Sequence, residues 1–224
     1  MHKFLKNFPD GLKEFTNLLE RNRIFMDRTI NCGPISADRA LAYGFTGPNL
    51  RAAGVDYDVR VMNPYCSYEE FNFIIPIGTN GDTYDRFMVR QQEMWESLSI
   101  IQQGIEKLDK LEDKTSFQAN VPAYVLPPKE EVYNTMEGLI WHFKIVMGET
   151  QMPKGEVYHC VEGGNGELGF YLISDGGRTP YRLHFRRPCY IYYQAYREMV
   201  KGAYLSDAIL TMSSMNVIAG ELDA

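Results

Sequence analysis

The feature that most limits how this chain folds is one apolar stripe of helical period between Asp82 and Leu108. Apolar residues recur there at spacings that place them on a single helical face. The stripe consists of Tyr84, Phe87, Met94, Trp95, Leu98, Ile101, Ile105 and Leu108. Asp82 and Asp85 at its start favour the positive end of a helix. A helix of about seven turns must bury such a face, so the pattern predicts a core built around it.

Shorter helices are expected before this long one. Residues 11–22 carry apolar residues at helical spacing, and Ser36 is a plausible N-cap for a second helix that ends before Gly44. From Gly44 to Asn80 the chain is dense in glycine, proline and aromatic residues and has no sustained period. This composition predicts a segment that is ordered but irregular.

One more helix is expected after the long one. Residues 110–120 are polar and are predicted to form a loop. Pro127 and Pro128 then predict the start of a helix that ends at Gly148.

The last third of the chain is expected to contain the sheet. From Glu156 the apolar period changes to two, which predicts a three-stranded antiparallel meander. Its strands are Val157–Val161, Leu168–Ser174 and Tyr181–Arg186. Two short helices are predicted to follow, at Tyr190–Val200 and Leu205–Met212. The predicted fold class is mainly helical α+β, in a single domain over residues 1–224.

Charge and composition exclude several kinds of function. The net charge is −6, so no broadly basic surface is available for a nucleic acid. No run of about 18 apolar residues could cross a bilayer, and residues 1–8 do not form a signal peptide, so a cytoplasmic location is expected. The cysteines and histidines include no pair at metal-binding spacing, and no metal site is expected. The four cysteines are Cys32, Cys66, Cys160 and Cys189, and the four histidines are His2, His142, His159 and His184.

Residues 164–169, GNGELG, match the G-x-G-x-x-G fingerprint of dinucleotide-binding proteins. That fingerprint binds a pyrophosphate only when a helix follows it, because the helix supplies free N–H groups. Here the strand-like run 170–173, FYLI, follows instead. The motif therefore predicts a hairpin turn, and the chain is not expected to bind NAD.

Three groups of charged residues admit two interpretations each. Asp82, Asp85, Arg86 and Arg90 resemble a catalytic acid with an anion clamp, but capping and salt bridges along the helix explain them more simply. The irregular segment carries charges that fit either an interface or a site wall, namely Arg51, Asp56, Asp58 and Arg60. Arg182, His184 and Arg186 alternate along one strand, and this basic strip is either a solvated face or a docking surface for an acidic partner.

Several motifs together closely resemble the 49-kilodalton-type chain of bacterial NADH:quinone oxidoreductase, the respiratory complex I. They are residues 44–48 (GFTGP), 50–55 (LRAAGV), 58–60 (DVR), 63–65 (NPY), 76–78 (PIG), 81–87 (GDTYDRF), 90–97 (RQQEMWES), 162 (E), 166–169 (GELG), 174–176 (SDG), 180–182 (PYR) and 216–223 (NVIAGELD). The resemblance runs from about Leu12 to the end and corresponds to the C-terminal half of that family's chain.

The resemblance implies one component of a complex rather than a complete enzyme. The complex would transfer electrons from NADH to quinone and translocate protons, with FMN and iron–sulfur clusters in other subunits and no cofactor in this chain. The implied partners are the terminal iron–sulfur subunit and membrane-arm subunits, with this chain peripheral on the cytoplasmic side of the inner membrane. The implied fold is a metal-free form of the nickel–iron hydrogenase large subunit, in which Asn216 and Ile218 line the quinone cavity.

The chain departs from that family at two positions, and two alternatives stay open. The family usually has aspartate where this chain has Asn216 and arginine where it has Ala224. The residues that bind the quinone headgroup belong to the other half of the family's chain and are not assigned here. One alternative is the equivalent component of a membrane-bound hydrogenase-like complex, and the other is a non-catalytic fragment that binds partner subunits.

Overall fold

The computed structural model describes residues 2–111, 121, 124–148 and 152–223. The helices are α1 (His2–Leu19), α2 (Arg23–Thr29), α3 (Ala37–Tyr43), α4 (Gly47–Ala52), α5 (Val59–Met62), α6 (Thr83–Leu108), α7 (Lys129–Asn134), α8 (Met136–Val146), α9 (Pro188–Met199), α10 (Leu205–Met215) and α11 (Ala219–Asp223). A 3₁₀ turn lies at Tyr68–Glu70. The strands are β1 (Gly155–Gly163), β2 (Gly166–Ser174) and β3 (Arg182–Arg186), which form an antiparallel sheet in the order β1-β2-β3. The mainly helical α+β class is confirmed.

The chain forms two compact units. Unit 1 comprises Met1–Asp109, Cys160–Gly169 and Arg186–Ala224, and unit 2 comprises Lys110–His159 and Phe170–Phe185. The prediction of a single domain stays a prediction.

The core of unit 1 lies where α3, α4, α6, α9 and α10 pack together. Its buried members include Phe45 and Tyr192, whose ring centroids are 4.8 Å apart. The predicted long helix is confirmed as α6, and the side chain of Asp82 caps it by accepting a hydrogen bond from the Asp85 N–H at 2.9 Å. The remaining core residues are Ile35, Ala40, Leu50, Ala53, Ala195, Met199 and Met215.

The N-terminal helices are partly as expected. Ser36 caps α3 by accepting a hydrogen bond from the Arg39 N–H, and Gly44 ends the helix in the left-handed conformation, so both predictions are confirmed. The number of helices was wrong, because α2 also forms before α3. Asn22 starts α2 by accepting hydrogen bonds from the N–H groups of Ile24 and Phe25.

The segment from Gly44 to Asn80 is more helical than predicted. It contains α4, α5 and the 3₁₀ turn. Each is too short for a periodic apolar stripe, and all six residues of α4 are buried, so no exposed face marks it in the sequence.

Unit 2 contains two helices where one was predicted between Pro127 and Gly148. The chain breaks at Thr135, whose hydroxyl caps α8 by accepting a hydrogen bond from the Gly138 N–H at 3.1 Å. The absence of a side chain at Gly138 allows α7 to approach, because a Cβ there would lie 2.5 Å from the Glu131 carbonyl oxygen. Most of the predicted loop at residues 110–120 lies outside the described residues.

Candidate functional site

Arg86 does not form the helix salt bridge that was predicted for it. Its side chain is fully buried, and it donates hydrogen bonds to neutral oxygens from three parts of unit 1. The acceptors are the carbonyl oxygens of Gly81 at 2.8 Å and Gly33 at 3.0 Å and the hydroxyls of Thr83 at 3.0 Å and Ser214 at 2.9 Å. Burial and the neighbouring charge of Arg90 lower the pKa of Arg86 to about 10. The guanidinium therefore holds backbone turns together rather than acting as an anion clamp.

A network of buried charges lies beside α6. Arg51 of α4 donates to Glu93 Oε1 on α6 through Nε at 2.8 Å and through Nη2 at 2.5 Å, and to Glu162 Oε1 on β1 through Nη1 at 2.9 Å. Its Nη1 also lies 3.3 Å from Asp58 Oδ2. Arg60 completes the network by donating to both carboxylate oxygens of Asp58, at 2.9 and 2.6 Å. We call these five residues the charge network.

Burial and charge oppose each other throughout the charge network. Burial alone would lower the pKa of Arg51, but Glu93, Glu162 and Asp58 together raise it. Burial alone would raise the pKa of Asp58, but the hydrogen bonds and charge of Arg60 and the charge of Arg51 lower it. At Glu162 burial prevails over the charge of Arg51, and the pKa of its carboxyl is raised.

The interface predicted at Arg51 needs a side chain that a partner can reach. The Arg51 side chain is 1% exposed, and its guanidinium is bound within the chain, so the interface interpretation of this residue was wrong. Arg60 is also largely buried, and its guanidinium lies over the ring of Phe73, 4.8 Å from the centroid. Spacing in the sequence could not reveal this arrangement, because Glu93 and Glu162 come from elements far along the chain.

The basic strip on β3 is divided between the two units. Arg182 and His184 are exposed in unit 2, as a docking surface or a solvated face requires. Arg186 in unit 1 donates instead to the carbonyl oxygens of Glu167 at 2.8 Å and Gly44 at 2.9 Å. The prediction of three cations on one strand that are all free to bind a partner was therefore wrong, because Arg186 is bound within its own unit.

The C-terminal tail turns sharply at Asn216, which follows α10 in the left-handed conformation. The Asn216 side chain donates to Asn165 Oδ1 at 2.5 Å, and its carbonyl oxygen accepts from the Cys189 thiol at 3.5 Å. Glu221 of α11 accepts from the Cys189 N–H at 3.0 Å. Ile218 lies between these attachments and is 47% exposed. The turn is thus fixed on both sides while Ile218 faces outward.

The G-x-G-x-x-G motif is a hairpin turn between β1 and β2, as predicted. Its Gly166 is closely packed within unit 1, because a Cβ at this position would lie 2.4 Å from the Tyr192 hydroxyl. That hydroxyl lies between the carbonyl oxygens of Thr46 and Asn165. The glycine therefore permits contact with a tyrosine rather than with a pyrophosphate. The sequence contains no spacing signal for Tyr192 or Asn165, and both were missed.

Within the described ranges, no three His, Cys, Asp or Glu side chains are grouped so that they could hold a metal ion. Among the same residues, no helix combines the length and the apolar character needed to span a membrane.

The model of the family described as "Respiratory-chain NADH dehydrogenase, 49 Kd subunit" matches residues 1–224. The chain belongs to this family. The resemblance inferred from the motifs is therefore confirmed, and it is favoured over membership of a hydrogenase-like complex.

Bacterial members of the 49 Kd family are highly similar to this chain. It is 72% identical over 222 residues to an NADH-quinone oxidoreductase subunit of Cytophaga hutchinsonii, covering 99% of this chain and 56% of that protein. It is 69% identical over 224 residues to the corresponding subunit of Flavobacterium johnsoniae, covering 100% of this chain and 54% of that protein. A more distant relative of the same name, from Leptospira biflexa, is 55% identical over 219 residues, covering 98% of this chain and 53% of that protein. The chain thus spans about half the length of the 49 Kd family members that it matches.

Proposed function

We propose that this chain is a scaffold and one wall of the quinone cavity in a proton-pumping NADH:quinone oxidoreductase. In this proposal the complex transfers electrons from NADH to quinone, with quinone as its substrate. The chain supplies packing surfaces and part of the cavity, and by itself it transfers no electrons. Family membership supports this assignment, since the matched relatives are named as subunits of that oxidoreductase.

The observation that carries the assignment of a wall is the geometry of the tail. Asn216 is bound to Asn165 and Cys189, and Glu221 is bound to the Cys189 N–H, so the turn between them is held in place. Ile218 on that turn remains 47% exposed. A branched apolar side chain on a fixed turn suits an apolar channel with few polar groups, which a quinone headgroup and its isoprenoid stem require.

The finer parts of the proposal follow from the family. The fold would be that of a nickel–iron hydrogenase large subunit without its metal, and this chain would hold no cofactor. FMN and iron–sulfur clusters would belong to partners, among them the terminal iron–sulfur subunit and the membrane-arm subunits. The chain would lie at the cytoplasmic side of the bacterial inner membrane, as a peripheral component. Arg182 and His184 are the remaining candidates for contact with an acidic partner.

The test replaces Ile218 by phenylalanine in the assembled complex of the organism that encodes this chain. Bulk at this position would obstruct the cavity, so we expect NADH-driven quinone reduction to fall by roughly tenfold or more. Oxidation of NADH by an artificial acceptor that bypasses the quinone should stay at the wild-type level. Both rates are measured on purified membranes, and the amount of assembled complex is measured on native gels.

A matched control is Val217→Ala. Val217 packs against the core of unit 1, so its truncation should lower the amount of assembled complex and both activities together. Should Ile218→Phe behave like this control, with both activities falling as assembly falls, Ile218 would be a packing residue and the proposed wall would be abandoned.

A further inference from the structure

Three carboxyl groups share two guanidinium groups in the charge network. Asp58, Glu93 and Glu162 lie within ion-pair distance of Arg51, and Asp58 also pairs with Arg60. The side chain of Glu162 is 4% exposed and that of Glu93 is 18% exposed. The buried Arg90 also acts on Glu93 through its charge, but it donates its hydrogen bonds to the Arg86 carbonyl oxygen and the Asn49 side chain. Within the charge network itself, three carboxyl groups therefore share two guanidiniums.

The three carboxyl groups differ in how fully their charge is compensated. Asp58 accepts from the N–H, Nε and Nη2 of Arg60 at 2.9, 2.9 and 2.6 Å, besides its pairing with Arg51. Glu93 accepts two hydrogen bonds from Arg51, both at Oε1. Glu162 accepts one from Arg51 at Oε1, and its Oε2 accepts from the Val59 N–H at 3.3 Å. Glu162 is thus the more buried of the two glutamates, and of the three carboxyl groups it accepts the fewest hydrogen bonds from guanidinium groups.

An ionised carboxylate in such a place is strongly unfavourable unless it is fully paired, and proteins avoid this by binding a proton. We infer that Glu162 is a proton-binding site, neutral under conditions in which exposed glutamates are ionised. The proton is bound at Oε2, because Oε1 accepts the charged hydrogen bond of Arg51 at 2.9 Å, whereas Oε2 accepts a longer and uncharged one from the Val59 N–H at 3.3 Å. Within the charge network, the other two carboxylates and the two guanidiniums are then equal in number.

Charged and titratable groups of several elements act on Glu162 or on its partners in the charge network. They are Arg51 of α4, Asp58 and Arg60 at the start of α5, Glu93 and Arg90 of α6, Tyr192 of α9 and Tyr65, whose hydroxyl accepts from the Glu162 N–H at 2.9 Å. Burial and the charge of Asp58 raise the pKa of Glu162, and the charge and hydrogen bond of Arg51 oppose them without cancelling them. This raised pKa agrees with the burial of Glu162 and with its few charged hydrogen bonds.

The site gains a role if the proposed function holds. A buried carboxyl that exchanges a proton near a quinone cavity could couple its charge to reduction of the quinone, and this role rests on the proposed function. The proton-binding site itself does not, because it is measured on the chain without quinone. Failure of the Ile218→Phe test would leave it standing.

The experiment is a pH titration of the purified chain with its glutamate side-chain carboxyl carbons labelled for NMR. We expect one glutamate signal to titrate at clearly higher pH than the main group, and to be missing in Glu162→Gln, whose amide has the shape of the neutral acid. The control Glu106→Gln removes an exposed carboxyl of α6 and should leave the late signal in place. Glu93→Gln removes the carboxylate that shares Arg51 with Glu162, so it should move the late signal to lower pH without removing it, and that shift places the signal beside Arg51 if Glu162→Gln does not fold.

The pH dependence of stability gives a second readout. A raised carboxyl pKa means that the folded chain binds one more proton than the unfolded chain above the ordinary glutamate pKa, so the free energy of unfolding falls as pH rises through that window. This fall should be smaller in Glu162→Gln than in wild type or Glu106→Gln. The inference is overturned if no glutamate signal titrates late, or if the late signal survives Glu162→Gln and disappears in Glu93→Gln.

Discussion

Arg86 shows how one residue can hold unit 1 together without an ion pair. Its guanidinium satisfies the carbonyl oxygens of Gly33 and Gly81, which belong to the turns that lead into α3 and α6. Buried carbonyl groups without a donor cost about 1–3 kcal/mol each. The sequence placed Arg86 correctly on the first turns of a helix, but its partners lie up to 128 residues away, and no local spacing could identify them.

Replacing Arg86 by methionine should therefore lower the free energy of unfolding by about 3 kcal/mol or more, because a similar volume is kept while four oxygens each lose one hydrogen bond. Chemical denaturation followed by circular dichroism measures the change. Arg23→Met is the control, since Arg23 forms an exposed pair with Asp27 and its substitution should have almost no effect. Equal losses in the two variants would show that the carbonyl contacts of Arg86 contribute little.

At the scale of the elements, the hairpin between β1 and β2 depends on Gly166. This residue has a φ of 135°, which side chains rarely adopt, and a Cβ would lie 2.7 Å from the Thr46 hydroxyl as well as close to Tyr192. Strained backbone and overpacking each cost about 1–3 kcal/mol. We expect Gly166→Ala to lower the free energy of unfolding by about 3 kcal/mol.

Gly164→Ala in the same turn is the matched control for Gly166→Ala. Nothing lies within 4 Å of its would-be Cβ, and its φ is not positive, so this variant should unfold at nearly the wild-type denaturant concentration. If both variants unfolded at the wild-type denaturant concentration, the close approach of Tyr192 and Thr46 would not explain why position 166 is a glycine.

Elements with a strong periodic signal could be predicted from the sequence, and short or buried ones could not. The stripe of α6 and the alternation in the three strands are long enough to reveal their type. In contrast, α4 is buried on every side, and the break between α7 and α8 depends on a Thr135 cap inside a stretch whose apolar residues keep helical spacing. The charge network was missed for a related reason, since its members are brought together only by folding of α4, α6 and β1.

At the scale of the whole molecule, helix α8 of unit 2 carries an exposed apolar surface. Its exposed apolar residues recur at helical spacing and form one stripe, which we call the α8 stripe. They are Met136, Leu139, Ile140, Phe143 and Met147. Contiguous apolar surface of this kind usually becomes covered by another protein surface. For a purified chain, the available surface of that kind is a second copy.

We therefore expect the purified chain to self-associate through the α8 stripe, with a mean mass that rises with concentration in light scattering. Changing both Ile140 and Phe143 to lysine should shift the chain toward monomer, because two charges would have to lose their water in the contact. The control changes Ile24 and Ile74 to lysine, two strongly exposed residues of unit 1 outside the stripe, and should associate as the wild type does. A wild-type chain that stays monomeric across the whole concentration series would show that the stripe does not drive association. Equal loss of association in the control would show that charge alone, rather than the α8 stripe, governs it.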